Sequence, residues 1–262
     1  MPVRSHLIRL VLLAASLLTQ TAVHAQDALA TITQTKKIRI AIPVDYPPYG
    51  FVGPDMKPRG LDIDMANYVA DKLGASSVEL VSVNSANRVP YLLSKKVDVI
   101  ISTLGKTEER EKVVDFTHAY SPFYQAVFAT KSTSITSWAD LAGKTVSVTR
   151  GAMADTELEK VMPKGTTVKR FDDHNGTLSA FMSGQVQVIA TSVTEGAGMI
   201  ERNPQVEYKL LLKDSPNFMG VNKGEDALKQ KLNQIILAGK ENGDLDKLSR
   251  KWLNRTTGDL PL

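Results

Sequence analysis

The sequence predicts an α/β fold of two lobes, and three observations carry that reading. Apolar strands alternate with amphipathic helices over residues 38–101, in the order β-α-β-α-β. The same order begins again over residues 137–190, and a helical tail follows over 225–253. Such alternation implies parallel sheets with helices packed on their faces. Two runs of it in one chain place a crossing between lobes near residues 120–130.

Each element has a local reason. Residues 38–42 form a compact apolar strand. Over 61–73, Met65, Val69 and Leu73 recur at four-residue spacing and give a helix one apolar face. Asp62 is placed to cap that helix and Gly74 to end it. Residues 78–83 read as a second strand, 88–94 as a short helix and 97–101 as a third strand. In the second run, 137–141 is a short capped helix, followed by strand 145–149 and helix 154–161. Strand 167–171, helix 176–182 and strand 186–190 complete it. The tail gives helices 225–239 and 244–253, with Trp252 on the buried side. No repeat of 20 to 50 residues is evident, which argues against a solenoid.

The N-terminal 25 residues read as an address. Arg4 and Arg9 supply a basic start, residues 10–18 a short apolar core, and Val23-His24-Ala25 a small-x-small cleavage pattern. The apolar run is too short to span a bilayer, and nothing later approaches ~20 apolar residues. Removing 25 residues from 262 leaves 237, compatible with one large or two smaller domains. Cysteine is absent, which excludes a lipidated N-terminal Cys, disulfides and thiolate metal sites. That suits a periplasmic protein held by core burial rather than covalent staples. Without Arg4 and Arg9, 30 basic residues of the original 32 face 28 acids. The lysines are scattered among acids with no basic, aromatic-lined face, so nucleic acid is not an expected partner.

The most informative stretch is 98–116, DVIISTLGKTEEREKVVDF. An apolar strand runs into Ser102, Thr103 and Gly105, whose N–H groups and hydroxyls are expected to point out of the sheet edge. Arg110 follows closely, a planar two-pronged donor suited to a carboxylate. The plainer alternative is a turn and a surface helix, with Arg110 paired to Glu109 or Glu111. An aromatic loop over 43–51, PVDYPPYGF, follows the first strand and is stiffened by Pro47 and Pro48. Ligands collect at that edge of open α/β sheets. Tyr46 is its candidate for ligand contact; Phe51, and Tyr49 beside it, read as core plugs.

Other candidates are weaker. Asp62 and Asp64 lack the later glycine and glutamate of a calcium loop and fit the first turn of a helix. His118 and His174 have no partner at metal-ligand spacing, so surface or capping roles are expected. No nucleophile elbow, phosphate loop or dinucleotide fingerprint occurs, so neither cofactor nor metal is expected. Arg88 opens a helix and either touches a ligand or pairs with an acid at the lobe edge. Arg150-Gly151-Ala152-Met153 sits where a second-lobe strand gives way to a helix, so its N–H groups are ligand candidates.

Taken together, YPPYGF, GLDIDMANYVADKLG, NRVPYLLSKKVDVIIS, KTEEREKVVDF, LAGKTVSVTRG and ENGDLDKLSRKWL resemble the periplasmic solute-binding proteins of polar amino-acid ABC transporters. The resemblance covers nearly the whole mature chain. It implies two α/β lobes, joined by two hinge strands, that close on a ligand in the cleft between them, the type II periplasmic binding protein arrangement. The implied boundaries are a signal peptide over 1–25, lobe 1 over 26–120 and 219–262, and lobe 2 over 121–218. The second crossing falls near 216–220.

Residue by residue, the resemblance makes Arg110 the clamp for the ligand's α-carboxylate, helped by Ser102 and Thr103, with Tyr46 covering the ligand. Ala152 and Met153 match the second lobe's carboxylate-contacting loop, which often has threonine where Ala152 stands. Relatives that bind α-amino acids usually carry an aspartate at the position of Ser192, and many carry an acid at Pro43. A buried ammonium without a carboxylate partner is costly. Glu195, Asp45 or Asp172 could substitute, or the ligand could lack an ammonium. The resulting expectation is a monomeric periplasmic binder, not an enzyme, that delivers a small carboxylate to a membrane permease. The alternatives are a dehydratase on the same scaffold, with Glu195 or Asp172 as general acid, and a ligand-sensing partner of a membrane receptor.

Overall fold

The computed structural model describes residues 27–261. The signal peptide expected over 1–25 lies outside these residues. The chain opens with α1 (Ala28–Thr35), β1 (Lys37–Pro43), a small sheet of β2 (Asp45–Tyr46), β3 (Gly50–Val52) and β4 (Pro58–Arg59), and α2 (Leu61–Lys72). Next come β5 (Ser77–Val83), α3 (Arg88–Leu93), β6 (Val99–Leu104), α4 (Glu108–Glu111) and β7 (Val114–Ser121). The second lobe contains β8 (Tyr124–Thr130), a 3-10 turn (Trp138–Leu141), β9 (Thr145–Thr149), α5 (Met153–Val161) and β10 (Thr167–Phe171). It continues with α6 (His174–Met182), β11 (Val188–Ser192), α7 (Val193–Arg202) and β12 (Val206–Asp214). The chain then returns through β13 (Asn217–Asn222), α8 (Asp226–Glu241) and α9 (Asp244–Leu253).

Two five-stranded sheets result, in the orders β5-β1-β6-β13-β7 and β10-β9-β11-β8-β12. Both are mixed rather than wholly parallel, as the alternation alone implies. β13 runs antiparallel to β6 and β7, and β8 runs antiparallel to β11 and β12. In each sheet the reversed strand is the one by which the chain enters from the other lobe. β7 ends at Ser121 and β8 starts at Tyr124, so only Pro122 and Phe123 lie between the sheets. A link that short cannot carry the chain around a sheet to restart a parallel strand. It enters at the cleft edge and runs away from it. The return through Ser215 and Pro216 reverses β13 for the same reason.

The first lobe's main core is built by one face of α2, carrying Leu61, Met65 and Val69, on Ile38, Ile40 and Ile42 of β1. Burying each such side chain is worth about 1.5–3 kcal/mol. α8 adds Leu228, Leu232 and Ile236 to that cluster. α9 locks on through Asp64, which accepts from Lys251 Nζ at 2.6 Å and Trp252 Nε1 at 2.7 Å. The second lobe's core centres on Val127, Val146, Val148, Leu158 and Val188.

Some local expectations change. Gly60, not Asp62, stands at the N-cap of α2, and Asp62 turns inward from the first turn. α6 begins at His174, two residues early, and β11 runs two residues late, which brings Thr191 and Ser192 to the strand's end. β12 and the β2–β4 sheet were not foreseen, because neither shows the strict apolar alternation that marks a strand.

Candidate functional site

The carboxyl ends of both sheets meet at one seam. On the first lobe, β6 ends in a turn held from inside. The Asp62 carboxylate accepts from Thr103 N at 2.8 Å and from the Tyr120 hydroxyl at 2.7 Å. Thr103 takes a left-handed conformation, φ 43°, which a β-branched residue adopts only when its surroundings impose it. The Thr103 N–H is therefore committed inward rather than offered at the sheet edge. Burial raises the Asp62 carboxyl to a pKa of about 7.

That turn seats Arg88. Its Nη1 donates to Ser102 O at 2.6 Å and more weakly to Thr103 O and Oγ1, each at 3.3 Å. Its Nη2 reaches across the seam to Gly151 O at 3.4 Å. Arg88 is only 1% exposed and its Nε has no hydrogen-bond partner. Burial, then the charge of Arg110, lowers its pKa to about 9.

Arg110 follows Thr107, which caps α4 by accepting from Arg110 N at 3.2 Å. Its Nη1 donates to Gly105 O at 2.7 Å and its Nη2 to Gly151 O at 2.9 Å. The surface pairing with Glu109 or Glu111 is absent among the ion pairs of the described residues. Gly105 lies in close contact with the other lobe: a Cβ there would lie 2.1 Å from Met153 Cε and 2.5 Å from Ser215 Oγ.

The second lobe's loop is less free than its sequence suggests. Gly151 N donates to Asp155 Oδ2 at 3.1 Å and Ala152 N to Thr149 O at 3.0 Å. Those two N–H groups are spent locally, a correction to their reading as ligand donors. Ala152 and Met153 nonetheless line the cleft, at the N-terminus of α5, which has no side-chain cap. Ser192 is also committed: its Oγ accepts from Glu195 N at 3.1 Å and caps α7.

Aromatic rings close the centre. Tyr46 stacks on His174, with Phe123 edge-on to Tyr46 and Tyr49. His174 N donates to Asp45 Oδ2 at 2.8 Å, and its Nδ1 lies 3.2 Å from Thr149 Oγ1. His174 is thus a buried cleft residue rather than a surface or capping one. Burial, then Arg88, lowers its pKa to about 3. Tyr49 is buried as expected of a plug, whereas Phe51 is half-buried and packs edge-on to Trp252.

A hydrogen-bonded chain crosses from lobe to lobe. Ser192 N donates to the Tyr46 hydroxyl at 3.2 Å, the Tyr46 hydroxyl lies 3.3 Å from Thr191 Oγ1, and Thr191 Oγ1 donates to Glu195. Burial raises Glu195 to a pKa of about 7. Asp172, by contrast, is exposed and paired to Arg150 at 3.1 Å. Gln125 also lines the cleft with its Nε2 unpartnered, a residue no sequence motif marked.

The cavity between Tyr46, Arg88, Thr103, Gln125, Met153 and His174 has about 10 Å³, room for about one water. Beside it a mouth of about 550 Å³ opens over Ser85, Thr107, Arg110, Gly151 and Lys160, a size typical of ligand pockets. The two lobes are therefore nearly closed on one another, with both arginines at the seam.

Two sheets joined by two crossings, with polar groups gathered where their carboxyl ends meet, define a two-lobed binding protein of the type II periplasmic class. The chain belongs to the bacterial extracellular solute-binding proteins, family 3, whose model matches residues 38–255. It is 29% identical to the ABC transporter glutamine-binding protein GlnH of Bacillus subtilis, over 87% of this chain and 85% of that one. Among solved structures it is similar to the solute receptor for L-cysteine of Neisseria gonorrhoeae, with a TM-score of 0.81, 31% identity and 88% and 95% of the two chains covered. It is also similar to the ancestral amino acid-binding protein AncCDT-1, a precursor of cyclohexadienyl dehydratase, with a TM-score of 0.78, 27% identity and 86% and 98% covered.

Proposed function

We propose that this chain is the extracytoplasmic solute-binding component of an ABC importer, capturing a small polar carboxylate of the amino-acid class by closure of its two lobes. The observation that carries this reading is Arg110, anchored on one lobe at Gly105 O and bonded to Gly151 O of the other. A carboxylate entering the seam accepts two parallel N–H bonds from that guanidinium and joins the lobes through it. Ser102, Thr103 and Gly105 form the seat on the first lobe, Tyr46 covers the ligand, and Ala152, Met153 and Ser192 face it from the second. A ligand that contacts both lobes favours the closed form by its extra affinity for it.

The relatives, a glutamine-binding protein of an ABC transporter and a receptor for L-cysteine, support amino acids as the ligand class and a membrane permease as the partner. The protein acts as a monomer in the periplasm after loss of residues 1–25, with no nucleic-acid partner, and it binds rather than catalyses. The test is mass spectrometry of ligand released from the purified protein, followed by thermal shifts over amino acids and related acids. Stabilisation follows affinity by mass action. A protein that releases no small carboxylate and is stabilised by none overturns the reading.

One observation favours a lyase instead: Glu195 is buried in the cleft with a pKa of about 7, suited to a general acid. Aromatic product from arogenate- or prephenate-like substrates incubated with the protein decides for that alternative.

A further inference from the structure

Arg88 does something the clamp at Arg110 does not account for. It is a fully buried cation whose hydrogen-bond acceptors are the carbonyls of Ser102, Thr103 and Gly151 and the hydroxyl of Thr103. No carboxylate lies within ion-pair distance of it or of Arg110 among the described residues. Asp62 acts on Arg88 only through space, its two oxygens accepting from Thr103 N and the Tyr120 hydroxyl. A buried charge facing only neutral acceptors is costly and is normally balanced by a hydrogen-bonded counter-ion. Here two such charges converge, since Arg88 and Arg110 both donate to the one oxygen of Gly151. The Nε of Arg88 is left without any partner, and the side chain borders the inner cavity.

Glu109 and Glu157 act on Arg110 only through space, and neither forms an ion pair with either guanidinium among the described residues. The N-terminus of α5, nine residues long and without a side-chain cap, borders the cleft at Ala152 and Met153. Its dipole favours an anion, although Asp155 in its first turn already answers part of it. Asp45 is engaged by His174 N, and Glu195 by Thr191 on the far side of Tyr46. Ser192 supplies no charge where an acid would hold an ammonium.

We infer that the ligand carries two carboxylates, one held by Arg110 and the second by Arg88, so that it brings the hydrogen-bonded counter-ions which neither guanidinium has. This rests on the reading of the cleft as a carboxylate site. Arg88 then discriminates acid from amide: its donors match a carboxylate, whereas an amide nitrogen would set donor against donor and leave the charge unbalanced.

The test is titration calorimetry with matched acid and amide pairs: glutamate with glutamine, aspartate with asparagine, and, lacking an amine, glutarate with its monoamide. In the best-binding pair the acid binds tens of times to about 100 times tighter than its amide, the worth of one charge-assisted contact. Arg88→Met brings that ratio close to one while amide binding persists. Because Arg88→Met removes a buried side chain and can fail to fold, the wild-type ratio decides by itself. An amide that binds as tightly as its acid in every pair overturns the second carboxylate and leaves Arg110's role standing. Failure of every carboxylate to bind, while other solutes do, overturns both.

Discussion

Tyr46 and His174 lie face to face across the cleft, ring centroids 3.4 Å apart and planes 7° from parallel. Each comes from a different lobe, and together they occupy the centre that a ligand would share. His174 stays neutral there because burial, and then Arg88, hold its pKa near 3. When the lobes separate, the ring regains water and its ordinary value near 6.5. A base whose pKa is lower in the closed form stabilises that form fully above about pH 6.5, and the contribution fades as pH falls toward 3. No carboxylate bonds the imidazole itself, since Asp45 accepts from the backbone N–H and Thr149 meets Nδ1. Asp45 and Glu195, both raised by burial, act in the opposite sense, so the comparison with His174→Phe isolates the histidine's share. Acidification from pH 7.5 to 4.5 is therefore expected to open the unliganded protein, read as an increase in radius of gyration by small-angle scattering. His174→Phe, which keeps the stack without the titration, should stay closed. A wild-type radius constant across that range removes the histidine from the account.

Arg110→Ala is expected to weaken ligand binding about 10- to 100-fold or more, the range for charge-assisted hydrogen bonds at a buried site. The fold should survive, because the side chain's own partners are two carbonyls, of Gly105 and Gly151. Calorimetric affinity measured beside the melting temperature separates the two effects. Undiminished affinity in a folded mutant ends the clamp role.

Much of this was legible in the sequence, for identifiable reasons. β9 and α9 fall where the pattern puts them, because their apolar residues face one continuous core. β12 escaped, since its partner β8 lies some eighty residues away and its own sequence, VEYKLLLKD, alternates poorly. At the site, Arg110 stood out because small residues precede it at a strand end. His174 did not, because its role comes from Tyr46, 128 positions earlier, and no local spacing records that contact. Asp62 looked like an ordinary first-turn acid; only the fold brings Thr103 and Tyr120 to its two oxygens.

Asp62→Asn tests that buried carboxyl through pH. Burial raises its pKa to about 7. For an acid raised in this way, the stability it lends is full below its unfolded value near 3.9 and is lost as pH rises through 7. Wild-type melting temperature should therefore fall between pH 5 and pH 8, with Glu195 contributing in the same direction and His174 opposing both below about pH 6.5. The amide can still accept from Thr103 N and donate to the Tyr120 oxygen, so its cost at pH 5 is about 1 kcal/mol. The slope against pH should be shallower in the mutant than in the wild type. Equal slopes in calorimetric scans would show that Asp62 does not carry the dependence.

Gly105→Val separates closure from ligand chemistry. A Cβ at this position meets Met153 of the opposite lobe at 2.1 Å and Ser215 of the returning crossing at 2.5 Å. Met153 Cε is the end of a flexible chain and can move aside for one methyl, so Gly105→Ala should be mild. Valine adds two more carbons beside Ser215, where the short crossing leaves little slack. Neither substitution strains the backbone, since Gly105 is not among the residues with positive φ. Each lobe keeps its own core, so far-UV circular dichroism should match the wild type. The full approach of the lobes is blocked, Arg110 no longer reaches Gly151, and affinity should fall about 10-fold or more, as for a lost charge-assisted contact. Ligand binding at wild-type strength in Gly105→Val would mean that capture does not need the lobes to come this close.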